Sequence, residues 1–330
     1  MIDESLIAAA HDAMEAEYDQ ISDLWYGFLF NRIHDLLLRR LLPGEGQPAL
    51  DVGCGTGYQS FLMARAGYRV TGFDISTRLL AQASRKAPLL MQGGPQDLLF
   101  QSPFPELMRE QSQLLARADV LRRGPVETPL FRPGTATDGR SYEPGGFAVI
   151  TCCGSVLSFI DEYEEVLKHM HAALKPGGLL LLEVEQRTNL DLFWPFVDWL
   201  LRGALHYQQD LKTTMRNLVA HPRKHLRIEY PFELVNGNEV DFPLWLFSTT
   251  GIESLFRDCG FRILARRGVH AVTNLIPSTT LHHPHPAAWL IRLFRGLASI
   301  EKMTSDAWPV SRLGCSAVYC LQSVGVPVGK

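Results

Sequence analysis

Three glycines at alternating positions constrain this chain of 330 residues more than any other feature of its sequence. Gly53, Gly55 and Gly57 follow the short apolar run PALDV and lead into residues 57–67, whose apolar spacing predicts a helix. Glycine adopts positive φ at little steric cost and lets a ligand approach the bare backbone. Glycines between the end of a strand and the N-terminus of a helix therefore predict a binding site for a nucleotide-like ligand.

Strand and helix patterns alternate along the first 185 residues. The predicted strands are PALDVG (48–53), YRVTGFD (68–74), ADVLRRG (118–124), FAVITCC (147–153) and LLLLEVE (179–185). The predicted helices are 12–42, 57–67, 77–86 and 161–174, with a helical run at 105–116 inside an insertion at 88–117. Continuous apolar strands are typical of strands that are buried on both faces. The alternation therefore predicts a parallel, doubly wound α/β sheet that binds its ligand at the carboxyl ends of the strands.

Beyond residue 185 the pattern is less regular. An apolar, aromatic helical region is expected over 190–218, and two strand-like runs flank the turn signal Asn236-Gly237-Asn238, which predicts a β-hairpin at 226–247. The remaining expected elements are a helix at 250–259, the strand RILARRGV, a helix near 287–302 and the strand CSAVYCLQS.

The glycine spacing distinguishes two kinds of nucleotide site. The dinucleotide fingerprint GxGxxG requires a glycine where this chain has Tyr58, so it fails by one position. LDVGCGTG (50–57) instead resembles motif I of class I S-adenosylmethionine (SAM)-dependent methyltransferases. Within that family, the segment CCGSVLSF (152–159) makes the chain most similar to small-molecule N- and O-methyltransferases. Three later segments resemble the same family in the right order, namely FAVITCCGSVLSF, LKPGGLLLLEVE and GIESLFRDCGFRILARRG.

The resemblance implies a Rossmann-like sheet of seven strands with helical and β-hairpin insertions that form a lid over the methyl acceptor. It divides the chain into an N-terminal helical cap (1–45), a SAM-binding core (46–185), an acceptor-binding lid (186–248) and the C-terminal part of the core (249–330). The last part carries a helical insertion at about 270–312.

The resemblance also implies SAM as the cofactor, with S-adenosylhomocysteine (SAH) as its product. The glycine trio would line the methionine portion, with Asp51 near its amino group, and Asp74 would accept hydrogen bonds from the ribose hydroxyls, with Ile75 against adenine. The expected cofactor-binding residues are Tyr18, Asp51, Gly53, Cys54, Gly55, Thr56, Gly57, Asp74, Ile75, Glu127, Cys153, Gly154 and Ser155.

Two positions depart from the family pattern. Many relatives carry an acidic residue and an alanine near adenine after the third strand, where the strand predicted at 118–124 places Pro125 and Val126, so Glu127 is expected to substitute. The aspartate that is common in the fourth strand is Ala148 in this chain.

Motif I identifies the methyl donor and not the acceptor, because a positioned acceptor needs a general base only if it must lose a proton early. The irregular segments 88–117, 186–247 and 270–312 are expected to line the acceptor site. The pattern assigns no catalytic residue, and the candidates for a base are His206, Tyr207, Glu185 and His270. No metal is expected, since the run HHPH lacks a carboxylate or cysteine at ligand spacing.

Charge and composition limit the partners. A formal net charge of −3 and a pI near 6.4 argue against a nucleic-acid substrate. Six cysteines without CxxC spacing, and an N-terminus without a leader pattern, predict a cytoplasmic protein with free thiols. The most apolar stretch, LFWPFVDWLLRGAL (192–205), is interrupted by polar residues, which argues against a membrane span. Core packing, an acceptor pocket and peripheral contact with a membrane stay open for this stretch. A homodimer is a further expectation.

These observations predict a methyltransferase that modifies N or O of a small or medium-sized acceptor, with an apolar acceptor suited to the aromatic segment 186–248. Two alternatives stay open. One is a methyltransferase of a lipid or quinone-like acceptor held in a membrane, and the other is a non-catalytic SAM-binding subunit that acts through a protein partner. The sequence does not distinguish N, O, C and S as the acceptor atom.

Overall fold

A computed structural model describes residues 4–92, 99–207, 211–233 and 239–324. The strands are β1 (Pro48–Val52), β2 (Arg69–Asp74), β3 (Leu130–Pro133), β4 (Phe147–Cys152), β5 (Leu174–Glu185), β6 (Leu226–Glu233), β7 (Glu239–Leu246), β8 (Phe261–Val269) and β9 (Ser316–Ser323). The helices are α1 (Glu4–Ala13), α2 (Leu24–Arg40), α3 (Tyr58–Arg65), α4 (Thr77–Gln92), α5 (Pro105–Leu121), α6 (Tyr163–Ala173), α7 (Trp194–Leu200), α8 (Leu211–Val219), α9 (Thr249–Asp258), α10 (Ser278–Leu281) and α11 (Ala288–Thr304).

Seven strands form one sheet in the order β3-β2-β1-β4-β5-β9-β8. The first five pair in parallel, and β9 lies antiparallel between β5 and β8. The chain leaves β1 toward β2 on one side and later returns to β4 on the other side, so the carboxyl ends of β1 and β4 flank the switch in strand order. The prediction of a doubly wound, Rossmann-like α/β sheet is confirmed.

Successive side chains of the central strands alternate between two apolar layers. Ala49 and Val149 join a cluster that includes α2, α3, α5 and α11, whereas Leu50 and Ile150 join a cluster that includes α6 and α9. Both layers are closed by helices, which is why these strands are apolar on both faces.

The N-terminal region differs from the single helix predicted at 12–42. It forms two helices, α1 and α2, separated by a turn. The side chain of Asp23 accepts a hydrogen bond from the N–H of Tyr26 at 2.9 Å and starts α2 there. Before this cap, Gln20 pairs with Gln101 in a bridge, and extended backbone at this point interrupts the helical path.

The strand predicted at 118–124 is wrong. Residues 118–121 form the last turn of α5, and the third strand of the sheet is Leu130–Pro133. Leu107, Leu114, Leu115 and Ala118 are buried at helical spacing, so their apolar contacts continue the helix to Leu121. β3 is only four residues long and has no buried position, so it carried little apolar signal.

The second half follows the predicted order. β6 and β7 form the expected antiparallel hairpin, while its turn signal Asn236-Gly237-Asn238 lies outside the described residues. The helical region predicted at 190–218 divides into a 3₁₀ turn at Leu190–Phe193 followed by α7 and α8. Within the described residues, no helix combines the length and apolarity needed to cross a bilayer.

Candidate functional site

The glycine loop leaves β1 with left-handed backbone. φ is +65° at Gly53, +50° at Gly55 and +90° at Gly57, which is the N-cap of α3. A Cβ at Gly53 would lie 2.4 Å from Cγ2 of Val156, a contact too close for any larger residue. The loop therefore requires glycine both for its dihedral angles and for the close approach of the segment after β4.

Asp74 connects the end of β2 to this loop. Its Oδ2 accepts a hydrogen bond from the N–H of Gly55 at 2.8 Å, and its Oδ1 accepts one from the N–H of Ser76 at 2.8 Å. Burial raises the pKa of Asp74, although both backbone donors favour the charged carboxylate. The carboxylate is therefore held in one orientation at the switch point of the sheet.

Asp51 lies beneath the loop and does not line the cavity described below. Its carboxylate accepts hydrogen bonds from the hydroxyls of Ser60 at 2.7 Å and Thr151 at 2.6 Å. Burial raises the pKa of Asp51 to about 6. In this arrangement Asp51 joins β1, α3 and β4 below the glycines.

Three further residues that were expected to bind the cofactor, Cys54, Thr56 and Gly57, support the loop from inside the fold. Thr56 donates a hydrogen bond to Asp19 at 2.6 Å, and Lys86 forms an ion pair with the same carboxylate at 2.7 Å. Cys54 is buried against Gly72, where an added Cβ would approach its Sγ to 2.9 Å. Like Asp51, Cys54, Thr56 and Gly57 do not line the cavity but shape its floor.

A cavity of about 570 Å³ opens above the carboxyl ends of β1, β2 and β4. The predicted residues that line it are Tyr18, Gly53, Asp74, Ile75, Cys153 and Gly154. The structure thus brings residues from four separate segments of the sequence to one cavity, as the resemblance implies.

Helix α1 covers this cavity, and none of its residues was among the expected cofactor-binding residues. Ile7 and His11 line the cavity, and Ile7 packs with Ala10 and Phe242 of β7 in a small apolar cluster. Ile75 and Phe159 pack against the same cluster. The N-terminal helix and the hairpin therefore meet over the edge of the cavity where Ile75 lies.

The loop after β3 supplies another wall. Thr135, Ala136 and Thr137 line the cavity, whereas Glu127, expected to fill the acidic position near adenine, is exposed and does not line it. The misplaced third strand caused this error, because it put the loop about ten residues too early. The helical spacing of the buried residues of α5, which continues to Ala118, is the signal that could have located the loop.

Ser155 links the cavity wall to two carboxyl groups at the end of β5. It lies between Gly154 and Val156, has a φ of +60°, donates its N–H to Glu183 at 2.5 Å and donates its hydroxyl to Glu185 at 2.7 Å. Burial raises the pKa of both carboxyls, and the charge of Glu183 contributes to the rise at Glu185, whose pKa is about 8. Glu185 is thus a carboxyl that titrates near neutral pH beside the cavity.

Like Glu185, the other three candidates for a base are not lining residues of the cavity. His270 is fully buried and stacks on Trp25 with ring centroids 3.6 Å apart, and burial lowers its pKa to about 3. The Tyr207 hydroxyl donates to Asp191 at 2.8 Å, and burial raises its pKa. His206 is exposed. Of the four, Glu185 is the one that a described hydrogen bond joins to the cavity wall.

Tyr18 closes the side of the cavity nearest the glycine loop. A Cβ at Gly55 would lie 3.1 Å from its hydroxyl, and the ring is 6.2 Å from that of Tyr58. Burial raises the pKa of Tyr18, and the charges of Asp74 and Asp19 contribute, so the phenol stays protonated. Its hydroxyl is therefore a hydrogen-bond donor at neutral pH.

Comparison with known proteins bears on the chemistry of this site. A family model described as a methyltransferase domain matches residues 25–266. A ubiquinone biosynthesis O-methyltransferase of Albidiferax ferrireducens is 25% identical over 187 residues, which cover 54% of this chain and 60% of that protein. A putative methyltransferase of Bacillus subtilis, YqeM, is 24% identical over 263 residues, which cover 77% of this chain and 84% of that protein.

Solved structures are similar over most of their length. The CcbJ methyltransferase from Streptomyces caelestis has a TM-score of 0.48 and 13% identity, covering 96% of this chain and 98% of that one. A SAM-dependent methyltransferase from Methanosarcina mazei has a TM-score of 0.48 and 16% identity, covering 88% of this chain and 97% of that one. Since the methyltransferase domain model matches most of the sequence, the chain belongs to the methyltransferase domain family.

Proposed function

We propose that the protein transfers a methyl group from SAM to N or O of a small or medium-sized apolar metabolite. The observation that carries this proposal is the hydrogen bond between Asp74 and the N–H of Gly55 at the rim of the cavity. It unites an acidic side chain and a glycine loop, the two features by which the sequence resembles SAM-binding proteins. Membership of the methyltransferase domain family supports the reaction type.

The cavity fits the proposed donor in size and in lining. Its volume of about 570 Å³ lies within the range of small-molecule sites, and Gly53 and Val156 approach each other so closely in its lining that an added Cβ at Gly53 would clash with Val156. Asp74 would hold the ribose, Ile75 and Ala136 would contact adenine, and Tyr18 would cover the methionine portion. SAM supplies an activated methyl group on a sulfonium, and the surrounding residues have to orient it and exclude water.

The acceptor is proposed to enter beside Gly154 and Val156. Ser155 and Glu185 lie at this position, so an acceptor that loses a proton can pass it to the hydroxyl of Ser155 while Ser155 passes its own proton to Glu185. This relay requires the ionised form of Glu185, whose pKa is about 8, so it favours turnover at mildly alkaline pH. Val156, Phe159 and Ile160 add apolar surface to the wall, which suits an acceptor with a hydrocarbon or aromatic body.

A second candidate function is methylation of a lipid or quinone-like acceptor at a membrane. The specific observation in its favour is the exposure of Phe193, Trp199 and Leu200 around α7. The Albidiferax relative also supports it, as that protein is named a ubiquinone biosynthesis O-methyltransferase. The alignment spans only 60% of that relative, so its acceptor enters here as a proposal.

The test is an acceptor screen with SAM labelled in the methyl group. Small amines, phenols, catechols and short-chain quinols are incubated with the protein, and SAH and the labelled product are measured by mass spectrometry. The proposal predicts that SAH forms in proportion to labelled product with at least one class, and that Asp74→Ala abolishes both. Tight SAH binding without turnover on any class would favour a non-catalytic subunit instead.

A further inference from the structure

The surface of α7 and α8 exposes an unusual set of apolar side chains. Six of them are between 46% and 73% exposed, namely Trp199, Leu200, Leu201, Met215, Leu218 and Val219. The two helices pack against each other. We call this surface, together with its exposed cations Arg202, Lys212 and Arg216, the α7–α8 face.

The charged side chains around these apolar residues are cationic. Arg202, Lys212 and Arg216 are exposed and form no ion pair with another described residue. Arg223 and Lys224 follow α8 and are exposed as well. In the described part of 194–224 the acidic side chain is Asp198, which is 6% exposed and accepts hydrogen bonds from the N–H groups of Leu205 and Tyr207. Among the described residues of 194–224, the outward charge is therefore positive.

Cations and apolar groups share one side of α8. Lys212, Met215, Arg216 and Val219 follow the spacing i, i+3, i+4, i+7, and all four are exposed, whereas Thr214 on the opposite side is fully buried. Binding to a membrane surface increases with the apolar area that is buried and with electrostatic attraction to anionic lipids, so exposed apolar side chains beside lysine and arginine suit the headgroup boundary. Long cationic side chains can reach the phosphates while their stems stay in apolar contact.

Helix α11 provides a contrast within the same molecule. It exposes Trp289 and Met303, so exposed apolar surface is not confined to α7 and α8. Two of its three cations, however, are neutralised by α5, since Arg295 pairs with Glu106 at 2.6 Å and Lys302 pairs with Glu110 at 2.5 Å, which leaves Arg292 as its exposed cation without an ion pair to a described residue. Charge thus distinguishes the two surfaces.

From the exposed apolar side chains and the unpaired cations we infer that the α7–α8 face docks the protein on the surface of an anionic phospholipid bilayer. The occupant follows from charge complementarity, because each lysine or arginine near an anionic surface strengthens binding and the apolar side chains enter the headgroup boundary. A neutral partner would leave the cations of this face without a counterpart.

The α7–α8 face is attached to the edge of the sheet at which the cavity opens. Trp194 of α7 donates its indole N–H to the backbone carbonyl of Asn274, just after β8, at 2.8 Å. Arg187, just after β5, donates to the backbone carbonyls of His221 and Lys224 at 2.8 and 2.6 Å. Docking would thus turn the carboxyl edge of the sheet toward the lipid. The relevance of this orientation to a methyl acceptor rests on the proposed function, but the docking itself does not.

The test is flotation of the full chain with vesicles of phosphatidylcholine alone and with vesicles that also contain phosphatidylglycerol. The wild type is expected to float with the anionic vesicles and to lose this binding at high salt. The double variant Lys212→Glu/Arg216→Glu should reduce the partition coefficient at least about tenfold. Trp199→Ser/Leu200→Ser should reduce it comparably. The matched controls are Arg109→Glu/Arg292→Glu for charge and Trp289→Ser/Met303→Ser for apolar surface, and both should float like the wild type.

The docking surface would be overturned by absence of flotation with anionic vesicles or by equal flotation with neutral vesicles. It would also be overturned by an equal loss of flotation in the control variants Arg109→Glu/Arg292→Glu and Trp289→Ser/Met303→Ser. A wild-type dimer that dissociates in the α7–α8 variants, without vesicle binding, would assign the face to a second copy of the chain and would also overturn it. SAH titration of each variant checks the fold. Wild-type protein that floats with anionic vesicles but does not bind SAH would uphold the docking and refute the proposed donor site.

Discussion

The hydroxyl of Ser155 donates a hydrogen bond to Glu185 at 2.7 Å, and this contact ties the cavity wall after β4 to the end of β5. The N–H of the same serine is held by Glu183, so two neighbouring carboxyls fix one residue in a left-handed conformation. Two buried acids so close together favour a protonated form. The carboxyls of Glu183 and Glu185 therefore hold a dissociable proton beside the proposed acceptor entrance.

Glu185→Gln should flatten the dependence of stability on pH. Because the pKa of Glu185 is raised from 4.5 to about 8 in the folded state, the folded protein keeps a proton that the unfolded chain has lost between these values. The free energy of unfolding should fall as pH rises through this window, by up to about 1.4 kcal/mol per pH unit for one proton. Urea unfolding across the window measures the slope. Glu143→Gln, at an exposed position, is the control and should keep the wild-type slope.

Gly53→Ala should damage both stability and donor binding. The new Cβ would meet Val156 at 2.4 Å and would sit at a φ of +65°. We expect a loss of about 2 to 4 kcal/mol together with weaker binding of SAH. Gly124→Ala measures the cost of the left-handed backbone alone, since φ there is +92° with nothing within 4 Å of the new Cβ. It should lower the free energy of unfolding by about 1 to 2 kcal/mol. Equal costs at the two positions, with SAH binding intact in both, would show that the close approach at Gly53 is unimportant.

The cluster between α1 and β7 should act as one unit in donor binding. Ile7→Ala and Phe242→Ala should each weaken SAH binding several-fold, because Ile7 lines the cavity and Phe242 packs in the cluster that holds α1. The double variant should lose less free energy of SAH binding than the two single variants lose together, with a coupling energy above about 0.5 kcal/mol. Calorimetric titration of SAH into the wild type, the two single variants and the double variant gives this coupling energy. The control is Phe294→Ala, which removes a buried ring of α11 from the main core and should lower stability without changing SAH affinity. Strictly additive effects of Ile7→Ala and Phe242→Ala on SAH binding would count against a shared cover.

The glycine loop and the acidic residue of the proposed donor site could be predicted to lie together because their signals are local. Gly53, Gly55 and Gly57 mark the loop by their identity, and Asp74 ends a short strand whose apolar pattern is plain. Each of these residues sits at a strand end, and parallel strands bring their carboxyl ends to one edge. Pattern and spacing were therefore enough to place them in three dimensions.

The walls of the cavity depend on contacts that no local pattern records. Most of the ten-residue helix α1 precedes the helix predicted at 12–42, and its position over the cavity depends on packing with Phe242, more than 200 residues away. β3 is held in the sheet by pairing with β2 between Thr71 and Leu130, although its own sequence, LFRP, has no alternation of buried and exposed positions. The burial that raises the pKa of Glu185 is likewise a property of the assembled sheet.

The most direct test of the donor site is calorimetric titration of SAH into the wild type and Asp74→Ala. The carboxylate that joins Gly55 to the ribose position is lost in the variant, so we predict binding by the wild type and at least about tenfold weaker binding by Asp74→Ala. Glu127→Gln removes a charge from an exposed position outside the cavity and should bind like the wild type. A folded wild type that does not bind SAH, or an Asp74→Ala variant that binds it with unchanged affinity, would contradict the account.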